Sequence, residues 1–404
     1  MKNMFKYIFP IWLAMTVNTL LGITDMYFVN QINSDYITAL GIAGTPFAVL
    51  STLFVGIGIE ANRSTASGKK INWKVIIITI LITSFAVSGV SFLFSKNIFF
   101  YANKNKLYYL VLEYFNIYVF SLVPSAILYL CTGIFRGKGE SEKTLWFSCE
   151  AVILNFILDF IFLKYNIFNS ALKGCAFASV LSDTFTSFTY VIYIAFRRTE
   201  NLVPHNKFNI KTVLSFFRNS FSYSLEKLFS TSTLTILSSI YFALLSIQES
   251  KVYYGLEKMY SPVLMLAYSY FEWVIYVRAK QIDNNRKQNY LLFFCFCVAE
   301  GIISILYLNL SMKYSLFCFL YACYHFSFFI EREYIAILFE KGKSSVVNHT
   351  MFMKSILLIC LLQIEMLINV LNIFSIIITQ LLLFFVCIMI LAYNDKKVPN
   401  NGKR

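Results

Sequence analysis

Read from Met1 onward, the chain alternates long apolar blocks with short polar breaks. Within the blocks, polar and apolar residues do not alternate one by one. About twelve blocks stand out: 7–29, 36–59, 74–95, 108–134, 145–164, 171–195, 213–247, 252–277, 289–310, 314–338, 352–370 and 373–393. A membrane-crossing helix needs ~20 mostly apolar residues. In lipid every backbone polar group must be satisfied within the protein, which leaves helices or a closed barrel. A barrel would show short segments of strict alternation, and these blocks do not. The pattern therefore predicts an all-α polytopic membrane protein. Block 213–247 is too long for one straight span, so its first turns are expected along the cytoplasmic surface. The first block has Lys2 and Lys6 ahead of an apolar run, as a signal peptide does. It continues to Val29 without a small-x-small cleavage site, and it reads as the first span.

The polar breaks set the organisation. The most polar internal stretch, FRRTENLVPHNKFNIK (196–211), lies between the sixth and seventh blocks. The expected layout is a six-helix lobe at 1–198, a cytoplasmic linker at 199–211, a second six-helix lobe at 212–395 and a cytoplasmic tail at 396–404. The halves share features. A Gly followed by Pro recurs at Gly41/Pro46 and Gly255/Pro262, and FRGKGESEKT (135–144) after block four has a counterpart in FEKGKSSVV (339–347) after block ten. Such self-similarity is the mark of an internal repeat. Six spans is an even number, so both halves enter from the same side, as in parallel transporter repeats. The predicted architecture is 12 transmembrane helices in two six-helix bundles, related by a pseudo-two-fold axis along the membrane normal. Bundles so related enclose a cavity that can open to either side.

Composition agrees. Charged residues make up 14% of the chain, hydrophobic residues 58%, and the mean hydropathy is +0.64. A soluble domain carries about 25% charged residues. The net charge of +14 would suit nucleic acid, but its distribution points elsewhere. With the N-terminus inside and twelve alternating spans, only eight of the 35 Lys and Arg, from Lys96 to Lys313, fall outside. This is the positive-inside pattern, so the basicity sets orientation and no nucleic-acid partner is expected. The Lys/Asn/Ile-rich composition suggests an AT-rich bacterial genome. The expected location is a bacterial cytoplasmic membrane, multi-pass, with both termini cytoplasmic.

Enzymatic chemistry finds no support. The nine cysteines lie within apolar blocks without a CxxC spacing, and Cys295 and Cys297 point to different helix faces. His205, His325 and His349 are scattered. There is no GxxxxGK[ST] loop, serine-hydrolase motif or zinc-protease motif. No cofactor is expected.

Acids inside the blocks carry the functional signal. An ionised Asp at the bilayer centre costs ~2.5–3.5 kcal/mol on insertion scales, and acids that persist there face a bundle interior or a cavity. The first half has Asp25, Asp159 and Asp183, and the second has Glu226, Glu300 and Glu365. Glu60, Glu150 and Glu272 lie near span ends, where they are expected to reach interfacial water. Spans one and five both run outward, and Asp25 and Asp159 each sit about one turn from the outer end. Asn155 lies four residues before Asp159, on the same helix face. Span six runs inward from Ala171, which puts Ser179 two turns in. Alternation alone thus places Asp25, Asn155, Asp159 and Ser179 in one layer, with Tyr114 and Tyr118 of span four within reach. Two close carboxylates in a low-dielectric bundle cannot easily both be ionised, so the site wants a proton or a small cation. Hard oxygen ligands suit H+ or Na+ better than a soft metal; if the ion is Na+, Asp25, Asn155 and Asp159 are the residues expected to hold it. The alternative is that the polar side chains only bridge helices.

Three segments carry a resemblance. FPIWLAMTVNTLLGITDMYFVNQI (9–32) places Pro10 fifteen residues before Asp25. YFNIYVFSLVPSAILYLCTGIFRGKGESEKT (114–144) contains an RGxG turn. LNFILDFIFL with GCAFASVLS (within 154–182) contains N-x-x-x-D. As a set they resemble the multidrug and toxic compound extrusion (MATE) family, while the second half fits only in layout. The resemblance implies that Asp25, Asn155, Asp159 and the Ser179 hydroxyl form a cation site, and that Pro10 lets helix one bend as the site loads. It also implies that H+ or Na+ entry drives export of small organic, amphipathic or cationic compounds by alternating access. Departures are Asn30 in place of Gly, EANRSTASGKK (60–70) at the end of helix two, and Phe328 where some members carry an acid on helix ten. Glu226 in SYSLEKL (222–228) is either a cavity acid or the partner of Lys227 or Arg218. Two other readings remain at this stage. One is a flippase for lipid-linked saccharides or lipid-like natural products of the same superfamily, which would draw on Arg218, Lys227 and Lys258. The other is a major facilitator, whose loop after helix two is missing here. The expected partners are a small-molecule substrate and membrane lipids, with the chain a monomer.

Overall fold

The computed structural model describes residues 2–30, 32, 34–69, 71–99, 107–196, 210–232, 247–282, 286–307 and 311–397. The described residues form helices joined by turns and short links, with no strand among them. In the first part of the chain come α1 (Lys2–Asn30), α2 (Ser34–Ala66), α3 (Trp73–Leu93), the short α4 (Ser95–Ile98), α5 (Leu107–Tyr118), α6 (Leu122–Lys138), α7 (Ser141–Lys164) and α8 (Ala171–Phe196). Then follow α9 (Ile210–Lys227), α10 (Ile247–Ala279), α11 (Arg286–Tyr307), α12 (Met312–Glu340), α13 (Ser344–Leu367) and α14 (Ile373–Lys397). Among the described residues nine helices are long and apolar enough to cross a membrane. The twelve apolar blocks exceed that number because α10 and α12 are helical but more polar, and the block at 213–247 runs through 233–246, outside the described residues. The linker at 199–211 lies outside the described residues except for its last two positions, as does the tail after Lys397.

The chain forms two compact units, Met1–Ser224 and Leu225–Arg404. In the first, α2 crosses α6 so closely that glycines are required. A Cβ on Gly133 would sit 2.1 Å from the Gly58 carbonyl oxygen, and one on Gly137 would sit 2.5 Å from that of Asn62. Small residues spaced four apart let membrane helices approach in this way. The beginning of α9 belongs to this unit. Phe216 packs edge-on against Trp73, and Asn219 donates to Glu60 at 3.2 Å. It is therefore packed against α2 and α3.

The fourth apolar block is one span with a break. Between α5 and α6 the chain winds as a 3-10 turn, Val119–Ser121. Pro124 has no N–H to give the carbonyl four residues back. Ser88 of α3 compensates nearby by donating to the Val119 carbonyl at 3.1 Å, the kind of neighbour bond that makes breaks tolerable in lipid. Gly139 then ends α6 at φ 82°, its N–H bonding the Arg136 carbonyl while Glu140 N–H bonds that of Phe135. Gly342 ends α12 with the same pair of bonds, to Phe339 and from Lys343 to Leu338. The two similar sequences seen after blocks four and ten thus share one cap geometry.

Candidate cation site

Helix α7 is built inside out. Its buried residues are Ser141, Thr144, Ser148, Ala151, Asn155 and Asp159. They recur every three or four positions and form a single stripe. Its apolar residues, Trp146, Ile153, Phe156 and Phe160 among them, are exposed. In water this helix would turn over; against lipid tails the apolar face needs no protein partner, and the polar stripe turns to its neighbours. Those neighbours are α1, which runs along α7, and α8, while α5 packs on α8. Four helices thereby bring their polar positions to one place.

The four residues predicted to share a layer do meet. Asp25 Oδ2 accepts from the Ser179 hydroxyl at 3.1 Å and from the Tyr114 hydroxyl at 3.3 Å. Ser179 in turn receives the Asn155 amide at 3.3 Å, and Asn155 Oδ1 receives the Thr24 hydroxyl at 2.8 Å. Asp159 lies beside Asp25, and both are buried, Asp159 at 0% exposure. Asp25 Oδ1 and both oxygens of Asp159 take no hydrogen bond from any described residue. Acceptor faces acceptor. A buried polar atom without a partner is costly, and two adjacent carboxylates cannot satisfy each other unless a proton or a cation lies between them. The donor set of carboxylates, hydroxyls and an amide carbonyl is the hard-oxygen chemistry that such an ion prefers.

The other predicted positions separate. Tyr118 joins only by its ring, 5.0 Å from that of Tyr114 and 4.2 Å from that of Phe47. Pro10 lies inside α1, which stays one helix through it. Asp183 is on the same helix as Ser179 but bonds elsewhere, to Ser121 and Ser125 of the fourth span. Glu226 lies in the second unit at 0% exposure, and its partner is neither Lys227 nor Arg218. Arg332 of α12 meets it at 2.7 Å and Ser230 donates to it at 2.6 Å. Glu331 is bound by Lys354 at 2.6 Å and approached by Arg332, while Glu333 is met by Arg286 at 2.6 Å. Glu60 and Glu272 are buried at 2% and 6% exposure, where the sequence reading had them reaching interfacial water.

Sequence reasoning missed Thr24, Ser121, Ser125, Arg332 and Lys354. Thr24 could have been found: it precedes Asp25, and its position on α1 brings it alongside α7. Arg332 stood in plain view in IERE (330–333), flanked by two acids, a spacing that within one helix cannot satisfy all three charges.

Residues 10–161 match the MatE family model. No curated protein matches the chain by sequence. Solved structures match over nearly the whole length. A MATE protein in the straight conformation superposes with a TM-score of 0.80 at 15% identity, covering 98% of this chain and 96% of that one. An outward-facing multidrug resistance MATE family transporter of the MOP superfamily gives 0.78 at 16% identity, covering 98% and 95%. A MOP superfamily transporter from Pyrococcus furiosus, described as having a binding pocket of reverse polarity that suggests a different function, gives 0.78 at 15% identity, covering 98% and 96%. The chain therefore carries a MatE match over residues 10–161 and has, along nearly its whole length, the fold of solved MATE transporters.

Proposed function

We propose that this protein is a secondary antiporter of the MATE type, driven by H+ or Na+ and exporting small organic compounds of amphipathic or cationic character by alternating access. Twelve spans in two six-helix lobes, with both termini cytoplasmic, are the arrangement this reading uses. The single observation that carries it is the buried Asp25–Asp159 pair, whose facing oxygens make no well-formed hydrogen bond among the described residues. A cation arriving from outside would bind there, between Asp25 Oδ1 and Asp159, while the Ser179 and Tyr114 hydroxyls hold Asp25 in place through Oδ2. Its charge removes the repulsion between the carboxylates, which changes the preferred packing of α1 on α7. In this reading Pro10 supplies the place where α1 can bend. Each charge that moves down the membrane potential supplies about 2.3 kcal/mol per 100 mV, enough to drive a modest substrate gradient.

The flippase reading would need basic groups free to meet a pyrophosphate. In the second unit Arg332 and Lys354 are bound to Glu226 and Glu331, and Lys227 is buried over the Tyr268 ring, 3.6 Å from its centroid, while the side chain of Lys258 lies outside the described residues. The experiment is efflux of a fluorescent cationic dye from proteoliposomes under an imposed H+ or Na+ gradient. The reading predicts gradient-driven efflux that is lost in both Asp25→Asn and Asp159→Asn. Efflux that survives both substitutions would remove the coupling site.

A further inference from the structure

One acid of the first unit is not absorbed by the carboxyl pair. Asp183 follows Ser179 by four residues on α8, one turn further along the same face. It sits in the middle of a span, yet no Lys or Arg among the described residues pairs with it. Glu60, Glu226, Glu331 and Glu333 each have such a partner, in Arg63, Arg332, Lys354 and Arg286. Two serines hold Asp183, and both donate to the same oxygen. Ser121 makes a short bond to Oδ2, and Ser125 lies 3.5 Å from it. Oδ1 takes no hydrogen bond from the described residues. The side chain is partly exposed, unlike the sealed Asp159. One oxygen is therefore anchored while the other, on a half-buried side chain, takes no hydrogen bond among the described residues. The titratable groups nearest to it are Asp25 of α1, Tyr118 of α5 and Tyr129 of α6. None of them brings a positive charge.

The anchor matters as much as the acid. Ser121 closes the 3-10 turn that interrupts the fourth span, and Ser125 follows Pro124 one turn on. A 3-10 stretch within a long helix often marks a hinge. This one also adjoins the carboxyl pair, because Tyr114 of α5 donates to Asp25 just ahead of the break.

We propose that Asp183, with Ser121 and Ser125, is a second acid station for the coupling cation, one helix turn from Ser179, whose loading is read by the break in the fourth span. It binds the same chemistry as the pair, a proton or Na+, and it rests on the coupled-antiporter reading above. When it is empty, the carboxylate accepts from both serines. When a proton arrives from water it joins the carboxylate, and no other group changes charge. With the proton on the unbonded Oδ1, Oδ2 becomes a neutral carbonyl oxygen, a poorer acceptor than a carboxylate, so both serine bonds weaken and the hold on the 3-10 turn loosens. Na+ at Oδ1 would draw charge from the carboxylate and weaken the same two bonds.

The test uses the full-length protein in nanodiscs of phosphatidylethanolamine and phosphatidylglycerol, followed by infrared difference spectra in the protonated-carboxyl region. The spectra are taken on raising the pH, and on adding NaCl at constant pH. The expected result is that the Asp25→Asn/Asp159→Asn double variant keeps a titrating carboxyl band that belongs to Asp183. Adding Asp183→Asn abolishes it. The Ser121→Ala/Ser125→Ala variant leaves all acids in place, so the band persists but moves to higher frequency as its hydrogen bonds are lost. A band that only pH removes identifies the proton; one that NaCl removes at constant pH identifies sodium. The proposal is overturned if the double variant shows no titrating band, or if its band ignores both the Asp183 and the serine substitutions. If the double variant instead titrates just as the unaltered protein does, the Asp25–Asp159 reading fails, and Asp183 is judged on its own band.

Discussion

Asp159 lies against Asp25 inside the first unit with neither of its oxygens bonded, while Asp25 has one oxygen held by Ser179 and Tyr114 and one free. The pair is thus asymmetric: Asp25 is fixed in place and Asp159 waits for a partner. Replacing Asp159 with Asn supplies the missing donor, since an amide N–H can reach the free oxygen of Asp25. A satisfied buried hydrogen bond contributes about 1 kcal/mol, and leaving a group unsatisfied costs about 1–3 kcal/mol. Asp159→Asn is therefore expected to keep or raise the thermal unfolding temperature in detergent while ion-driven efflux disappears. A variant that melts lower yet still couples transport to the gradient would contradict this.

The Thr24–Asn155–Ser179 chain makes a second prediction. Thr24 fixes the Asn155 amide at 2.8 Å, and through it the hydroxyl that holds Asp25. Thr24→Val keeps the shape but leaves Asn155 Oδ1 without that donor. If about 1.4 kcal/mol of the orientation is lost, apparent cation affinity falls about tenfold. Thr24→Ser should restore most of it. The measurement is the cation concentration giving half-maximal efflux, and equal values for Val and Ser would show that Thr24 does not orient the site.

Much of this was legible beforehand, for a specific reason. Strict alternation of spans fixes the depth of each residue, so Asp25, Asp159, Asn155 and Ser179 could be assigned one layer from counting alone. Depth does not fix rotation about the helix axis. In soluble helices the apolar stripe reveals the buried face, but α7 buries its polar stripe and exposes Trp146 and Phe160. The usual rule would point it the wrong way. Rotation also separates Tyr114, whose hydroxyl reaches Asp25, from Tyr118, which only stacks. The Glu226–Arg332 pair was hidden because its members are 106 residues apart and no local periodicity links them. Glu60 looked like an interfacial acid because the packing of α9 against α2 cannot be read from α2 alone.

That packing gives a third prediction. Gly56 of α2 lies where α9 crosses, and a Cβ there would stand 1.9 Å from the Ser220 carbonyl oxygen and 2.6 Å from Ser224 Oγ. The Gly56 N–H also bonds Ser224 Oγ at 3.2 Å. Backbone cannot give way as a side chain can, so Gly56→Ala must push α9 from α2. Folded yield in detergent, followed by size-exclusion profile, is expected to drop sharply. Gly22→Ala meets nothing within 4 Å and raises helix propensity, so it should be neutral or slightly stabilising. Equal yields for the two would argue against the crossing.

The fourth prediction separates the two units. Arg332 and Glu226 are both fully buried and meet at 2.7 Å, so Glu226 already has a cation, and that cation is part of the protein. Arg332→Met leaves Glu226 charged without its ion-pair partner, held only by the Ser230 hydroxyl and the field of the neighbouring Lys227. Removing one member of a buried pair typically costs 3–5 kcal/mol, which should appear as a large loss of thermal stability. Combining Glu226→Gln with Arg332→Met removes both charges, and well-packed neutral replacements for a buried pair are often tolerated. The double variant should recover most of the stability. If the resident arginine has taken the place of a transported ion, the double variant should also keep gradient-driven efflux, because coupling then rests on the first unit. Stability recovered with coupling lost would instead mean that Glu226 and Arg332 take part in ion transfer, and the assignment of coupling to the first unit alone would have to be abandoned.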